Sequence, residues 1–456
     1  MVSKKSKKPE LSGLVVVDKP LGVTSHDVVA AVRGELHMRR VGHAGTLDPQ
    51  ASGVLVIGFG HGTRLLNYIV DHTKTYEATI RLGQTSTTDD SEGEITTVVS
   101  VRLADNSDNG VEVNENANSL SPAKNEAYSQ GFSNTSPKAI AADDLTQSLD
   151  GELTSDETSG NARVLTFQQI KQAINEHLTG DIKQVPSSYS AVRVNGRHAY
   201  ELARQGKTVK LDARSVTISE FIVLGARNTE ATIKASEVED GENESITSRA
   251  SVVDVDVRIS CSTGTYIRSL GRDLGRLLGV GGYLTKLRRT RVGKFDLADP
   301  QLAERVVTAH AKPHTFTNRE GVTLTLNRAV LDVDADELKR RALTMLEAAQ
   351  RTMPTIPISD EDAKNLRFGR RLPITIAAGA SAEYGSGAAD AGDNSTQIVK
   401  TADDKAMTND GKTSTNASGT KNIAAVYLPQ TEEVVGIVEP ANNHELKSVV
   451  VFPQVG

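Results

Sequence analysis

The chain is predicted to fold as an α+β protein, with a largely antiparallel mixed sheet, flanking helices and a smaller β-rich C-terminal domain. Three observations predict this. Residues 253–261, VDVDVRISC, alternate apolar and polar side chains without a break, and residues 166–178 place apolar side chains at helical spacing. Strands outnumber helices, and many are separated by hairpin-like distances.

Taken in order, residues 13–18 (GLVVVD) read as a buried strand. Ser25 is then placed to cap a helix whose Val28, Val29, Val32 and Leu36 share one face. Residues 53–58 (GVLVIG) form a second strand running into a short helix at GTRLLNYIV. TYEATIRL alternates, with Tyr76, Ala78, Ile80 and Leu82 on one side. Thr166 and Gln169 make a capping box for a helix that gathers Phe167, Ile170, Ile174 and Leu178. In VDVDVRISC, Val253, Val255, Val257, Ile259 and Cys261 face a core, and Asp254, Asp256, Arg258 and Ser260 face water. TYIRSLGRDLGRLLG follows as a helix. Late in the chain IAAVYL, EVVGIVE and LKSVVVF are short strands split by Pro, Asn and Gly, as in a small β-barrel. The expected division is a basic tail at 1–10, a body at 11–311 and a C-terminal domain at 312–456.

A length of 456 residues suits two or three domains. One cysteine, Cys261, excludes an intrachain disulfide, and no apolar run approaches the length of a membrane span, so a cytoplasmic protein is expected. The basic opening MVSKKSKKPE is followed by no apolar segment of signal-peptide length. The net charge of −6 is unevenly distributed. Residues 104–162, 235–245 and 381–420 are rich in Ser, Asn, Gly and Asp and carry −9, −5 and −3, which leaves +11 on the rest. Such stretches bury too little apolar surface to offset the entropy of ordering, so they read as disordered inserts. The remaining basic body suits a polyanionic partner.

The sequence GHAGTLDPQASGVLVIGFGHGTRLLNYI, from Gly42, continues into KTYEATIRLGQTSTTDDSEGEI and resembles the TruB family of tRNA pseudouridine synthases. LVVVDKPLGVTSHDVV, QVPSSYSAVRVNGRHAYELARQG and CSTGTYIRSLGRDLG follow the family's order. The resemblance covers most of residues 10–300 and implies a pseudouridine synthase catalytic fold. It also implies a PUA-like RNA-binding domain beyond, and isomerisation of uridine 55 in the tRNA T-loop. That reaction breaks the N1–C1′ bond, turns the base over and joins C5 to C1′. It needs no redox change and no energy source, so no cofactor is expected. The scattered histidines and lone cysteine offer no metal-ligand spacing. The expected partner is the tRNA T-stem-loop, bound by a monomer with no membrane.

One carboxylate suffices for this chemistry, as a nucleophile at the sugar or a base at C2′. The resemblance assigns it to Asp48, with Arg268 as its ion partner. By the same resemblance Tyr76 stacks on the target base, Tyr266 and Leu287 line its pocket, and His43 helps open the T-loop for base flipping. Leu47 and Pro49 are expected to stiffen the loop, and Gly42, Gly45 and Gly53 to let its backbone approach RNA. The run KLRRTRVGK supplies Lys286, Arg288, Arg289, Arg291 and Lys294 as expected phosphate contacts. The family's PPxYSAxK stands here as PSSYSAVR, with Ser187 and Ser188 in the proline region and Arg193 for lysine. Two alternatives are a non-catalytic tRNA-binding or tRNA-folding module and a same-fold synthase acting on another RNA.

Overall fold

The computed structural model describes residues 11–104, 162–233, 248–318, 321–374 and 423–454. The basic tail and nearly all of the three acidic stretches therefore lie outside the described residues.

Nine strands form the spine of an 11-stranded sheet. They are β1 (Gly13–Lys19), β2 (Ala51–Phe59), β3 (Lys74–Leu82), β4 (Gly180–Gln184), β5 (Arg214–Ile233), β6 (Ser248–Cys261), β7 (Gly282–Val292), β8 (Val307–Thr317) and β9 (Thr323–Leu331). Their spatial order is β9-β8-β1-β2-β7-β3-β6-β5-β4, with Val41–His43 paired to β2 and Phe295–Asp296 to β7. The β1–β8 and β2–β7 pairs are parallel and the rest antiparallel, the mixed, largely antiparallel sheet expected.

β1 reads as an unbroken apolar run because both its faces are covered. Val15 and Val17 pack with helix α1 (Ser25–Leu36), while Leu14 and Val16 join a core shared with Leu346, Ala425 and Ile437. On β3 the alternating set Tyr76, Ala78, Ile80 and Leu82 enters a third core with the inward face of β6. Helix α2 (Phe167–His177) starts at the expected Thr166–Gln169 capping box. It adds Ile170 and Ile174, each worth about 1.5–3 kcal/mol of burial. Helix α3 (Ile267–Leu277) covers the same core with Ile267, Leu270 and Leu274.

Three expectations need correction. Thr24, not Ser25, caps α1, in a capping box with Asp27. Ser25 is buried and its hydroxyl is used elsewhere. The face of β6 expected to be wet is a ladder of cross-strand polar pairs: Arg81 is bidentate to Asp254 at 2.8 and 2.9 Å, and Arg258 meets Glu77 at 3.0 Å. The pairing removes Asp254 from solvent. The boundary expected at 312 falls inside β8, which pairs with β1, so the hairpin β8–β9 continues the large sheet. A separate five-stranded sheet follows, from Thr355–Pro357 to Glu445–Val451. It is tied to the body by Arg64 Nη1 donating to Val451 O at 2.9 Å. No helix among the described residues is long and apolar enough to cross a membrane.

Candidate active site

The loop between Val41–His43 and β2 carries Asp48 and is held from several sides. Ser25 Oγ accepts from Leu47 N at 2.8 Å and donates to Leu47 O at 3.1 Å. Both groups are buried, so α1 clamps the residue beside Asp48 through one hydroxyl. Pro49 O accepts from Gly22 N at 2.8 Å, and Ala51 N donates to Asp48 O at 3.0 Å.

Beneath the loop lies Arg289, 1% exposed. Its Nε donates to Val54 O at 2.8 Å, Nη2 to Gly45 O at 3.1 Å and Nη1 to Thr46 O at 3.4 Å. The expectation that Arg289 contacts phosphate is therefore corrected. Its donors are aimed at loop carbonyls, and the surrounding protein excludes a phosphate. Gly53, at φ +105°, serves the same packing, since a Cβ there would sit 2.0 Å from Arg289 O. The close approach that requires this glycine is to protein backbone. Of the other basic residues of the run, Lys286 and Lys294 are exposed and Arg288 and Arg291 half-buried. Arg288 pairs with Asp18 at 2.7 Å, and Arg291 Nε donates to Thr75 Oγ1 at 3.0 Å.

Asp48 and Arg268 come together as expected, with Arg268 Nε 3.0 Å from Asp48 Oδ2. The arginine is buried and Asp48 is partly open to solvent. The rest of the guanidinium is fixed: Nη1 donates to Thr88 O at 2.8 Å and Nη2 to Tyr189 O at 3.0 Å, and Nη1 lies 3.5 Å from Asp90 Oδ2. One helical turn on, Arg272 Nη1 binds Asp89 Oδ2 at 3.1 Å and Nη2 donates to Val185 O at 2.8 Å. Two arginines at i and i+4 on α3 thus pin the adjacent acids of the TTDD segment and the PSSYSA segment to one helix face. Ser187, at the expected departure from the proline pair, is buried with its hydroxyl 3.5 Å from Thr88 O, while Arg193 is exposed.

Asp48, Arg268, Asp90, Leu284 and Leu287 line one cleft. Tyr76 lies in the core beside it, with its phenol pushed up by burial, an effect that Arg289 opposes. Tyr266 flanks the site at the start of α3, held by a reciprocal pair with Gln184 at 2.8 and 3.0 Å. His43 ends the short strand Val41–His43, its ring edge-on to His26 at 5.5 Å. Burial lowers its pKa below the ordinary histidine value, reinforced by His26 and Arg289, so the ring is neutral near pH 7.

Sequence reasoning missed Ser25 as a clamp, Lys19, and the acids at 89 and 90. Lys19 is fully buried, its Nζ donating to Val23 O at 2.7 Å and Pro20 O at 3.0 Å. Burial lowers its pKa to about 8, partly offset by the nearby Asp48. A lysine closing an apolar strand before proline, in VVVDKP, was the available signal. No cluster of three or more His, Cys, Asp or Glu residues suited to a metal occurs among the described residues.

The site is a carboxylate on a braced loop, oriented by a buried arginine that Asp90 also approaches, at the mouth of a cleft in an α+β sheet. It has the parts of an enzyme that works by nucleophilic or acid–base chemistry. The TruB family pseudouridylate synthase N-terminal domain matches residues 33–118 and 139–267, and the tRNA pseudouridylate synthase B C-terminal domain matches 268–335. The chain belongs to the TruB family of pseudouridine synthases. It is 42% identical to tRNA pseudouridine synthase B of Bifidobacterium longum, over 97% of this chain and 98% of that protein. The protein of the same name from Mycobacterium tuberculosis is 38% identical over 76% of this chain and 85% of its own. A chain in a solved Cbf5-Nop10-Gar1 complex is 18% identical, covering 96% of this chain and 83% of that one at a TM-score of 0.45.

Proposed function

We propose that this protein isomerises uridine 55 in the T-loop of tRNA to pseudouridine, with Asp48 as the catalytic residue. The observation that carries the reading is the Asp48–Arg268 pair. Arg268 engages Oδ2, and Oδ1 makes no hydrogen bond among the described residues. The pairing orients the carboxylate and leaves one oxygen available to a sugar carbon. A binding module has no use for a carboxylate facing a polyanion.

Oδ1 either attacks C1′ as N1 leaves or removes a proton from C2′. After the base turns over, C5 joins C1′, displacing Oδ1 from C1′ in the first route and with the proton returned to C2′ in the second; in both the proton on C5 is lost and N1 gains one, so the product is an isomer of the substrate. Arg268 holds the carboxylate in place through both bond changes. Tyr76 and Leu287 support the flipped base, Tyr266 closes one flank, and neutral His43 inserts where the nucleotide has left the loop. Lys286, Arg288, Arg291 and Lys294 hold phosphates by charge, which positions the RNA without reading its sequence. The C-terminal β unit acts as a PUA-like RNA-binding domain, and the protein works as a cytoplasmic monomer without a cofactor.

The test is conversion of an unmodified tRNA transcript by the purified protein, with the modified position mapped. One pseudouridine, at position 55, is expected. Modification elsewhere, or only in another RNA, refutes the assignment.

A further inference from the structure

Hairpin β8–β9 forms one edge of the sheet. β8 pairs with β1 only at Val307 and Thr308, opposite Val17 and Asp18. Because the two strands are parallel, the rest of β8 continues past the end of β1, at the end of the sheet where the Asp48 loop enters β2. The hairpin pairs without interruption from Ala309↔Leu331 to Thr317↔Thr323. At a strand's rise per residue it reaches about 30 Å. Its root packs against α1 through Ala329 and Leu331. Asn327 Nδ2 donates to Gly22 O at 3.2 Å, and Gly22 N in turn binds Pro49 O beside Asp48. Beyond the root nearly every residue on both strands is exposed.

Register places one set of side chains together on a single face. Lys312 is opposite Arg328, His314 opposite Leu326 and Phe316 opposite Leu324. The His314 and Phe316 rings stack at 6.1 Å with 17° between planes. Leu326 is 57% exposed, and Leu324 and Phe316 lie open beside it. Like charges directly across a ladder repel, and a two-stranded ribbon open to water on both faces is marginal alone. Neither Lys312 nor Arg328 forms an ion pair among the described residues. Two unpaired cations flanking a stacked ring pair and exposed apolar side chains match what a single-stranded or looped nucleic acid offers: phosphates and base faces.

We propose that this face of the β8–β9 hairpin is an RNA-binding arm that grips the substrate outside the catalytic cleft. Lys312 and Arg328 take phosphates, and His314 with Phe316 forms a platform for an exposed base. The proposal rests on the reading of the protein as an RNA-modifying enzyme. The arm acts on binding and not on the chemical step.

The test uses full-length protein and a tRNA transcript. Lys312→Ala/Arg328→Ala should raise Kd about tenfold and flatten the plot of log Kd against log[salt] by about one to two units. Phe316→Ala/Leu326→Ala should raise Kd with the salt slope unchanged. Both variants should keep kcat at saturating tRNA, and both should melt as the parent does, since the replaced side chains are exposed. If wild type makes pseudouridine and both variants match it in Kd, KM and salt slope, the arm does not bind RNA and its face belongs to a protein partner or a second copy. If wild type neither binds nor modifies tRNA, the functional reading beneath the proposal fails.

Discussion

Ser25→Ala isolates the clamp on the Asp48 loop with almost no change in volume. The substitution removes the hydroxyl that Leu47 N reaches at 2.8 Å and that donates to Leu47 O at 3.1 Å. Both backbone groups stay buried, because Leu47 is 4% exposed. Each unsatisfied buried group costs about 1–3 kcal/mol, so a loss of up to about 2–6 kcal/mol is expected in urea unfolding. The loop can recover part of this by moving, and movement displaces Asp48. A shift near 1 Å in a reacting group can cost about a hundredfold in rate, so kcat should fall at least tenfold while KM for tRNA stays within about threefold. The assay follows tritium released from tRNA labelled at uridine C5, since that position loses its hydrogen. A variant destabilised as expected but with wild-type kcat would show that Asp48 is held without Ser25 and refute the reasoning.

Three further outcomes follow from burial and charge. Lys286→Ala/Lys294→Ala should flatten the salt dependence of tRNA affinity by about one to two units, as both side chains are exposed. Arg289→Lys should instead lower stability and kcat with the salt slope intact, because its donors serve loop carbonyls. For Cys261, burial pushes the thiol up to about 11, so the native protein should resist thiol reagents at pH 8 and react on unfolding. The folded pKa lies above the unfolded one. Stability from this group is therefore full below about pH 9 and lost as pH rises through about 11, a loss that Cys261→Ala should abolish in pH-dependent melts.

Much of this architecture was legible because local pattern and tertiary role agreed. The apolar faces of β3 and β6 and the Thr166–Gln169 box depend on neighbours within a few residues, and the structure uses them as read. The errors occur where a distant partner decides. Thr24 and Ser25 are equally good caps in sequence, and the choice falls to Thr24 because Leu47, 22 residues on, takes the Ser25 hydroxyl. KLRRTRVGK reads as a row of phosphate contacts, yet Arg289 lies two residues beyond Leu287, which packs on the core, so strand periodicity turns it inward. The register shift between Arg289 and Arg291 then changes the ladder again, which composition cannot reveal. The boundary near 312 was missed because the only evidence for β8 in the large sheet is its pairing with Val17 and Asp18, some 290 residues away. The site followed the same division. The Asp48–Arg268 contact was expected from the resemblance, while the contacts of Lys19, Asp89 and Asp90 appear only when their partners are in place.

The central claim, that Asp48 performs the chemistry, is tested most directly by Asp48→Asn. The amide keeps the side chain's size and removes both nucleophile and base. Single-turnover tritium release from C5-labelled tRNA, with enzyme in excess, measures the chemical step alone. The account predicts no detectable release and a tRNA Kd within a few-fold of the parent. Release at a rate comparable to wild type would contradict it.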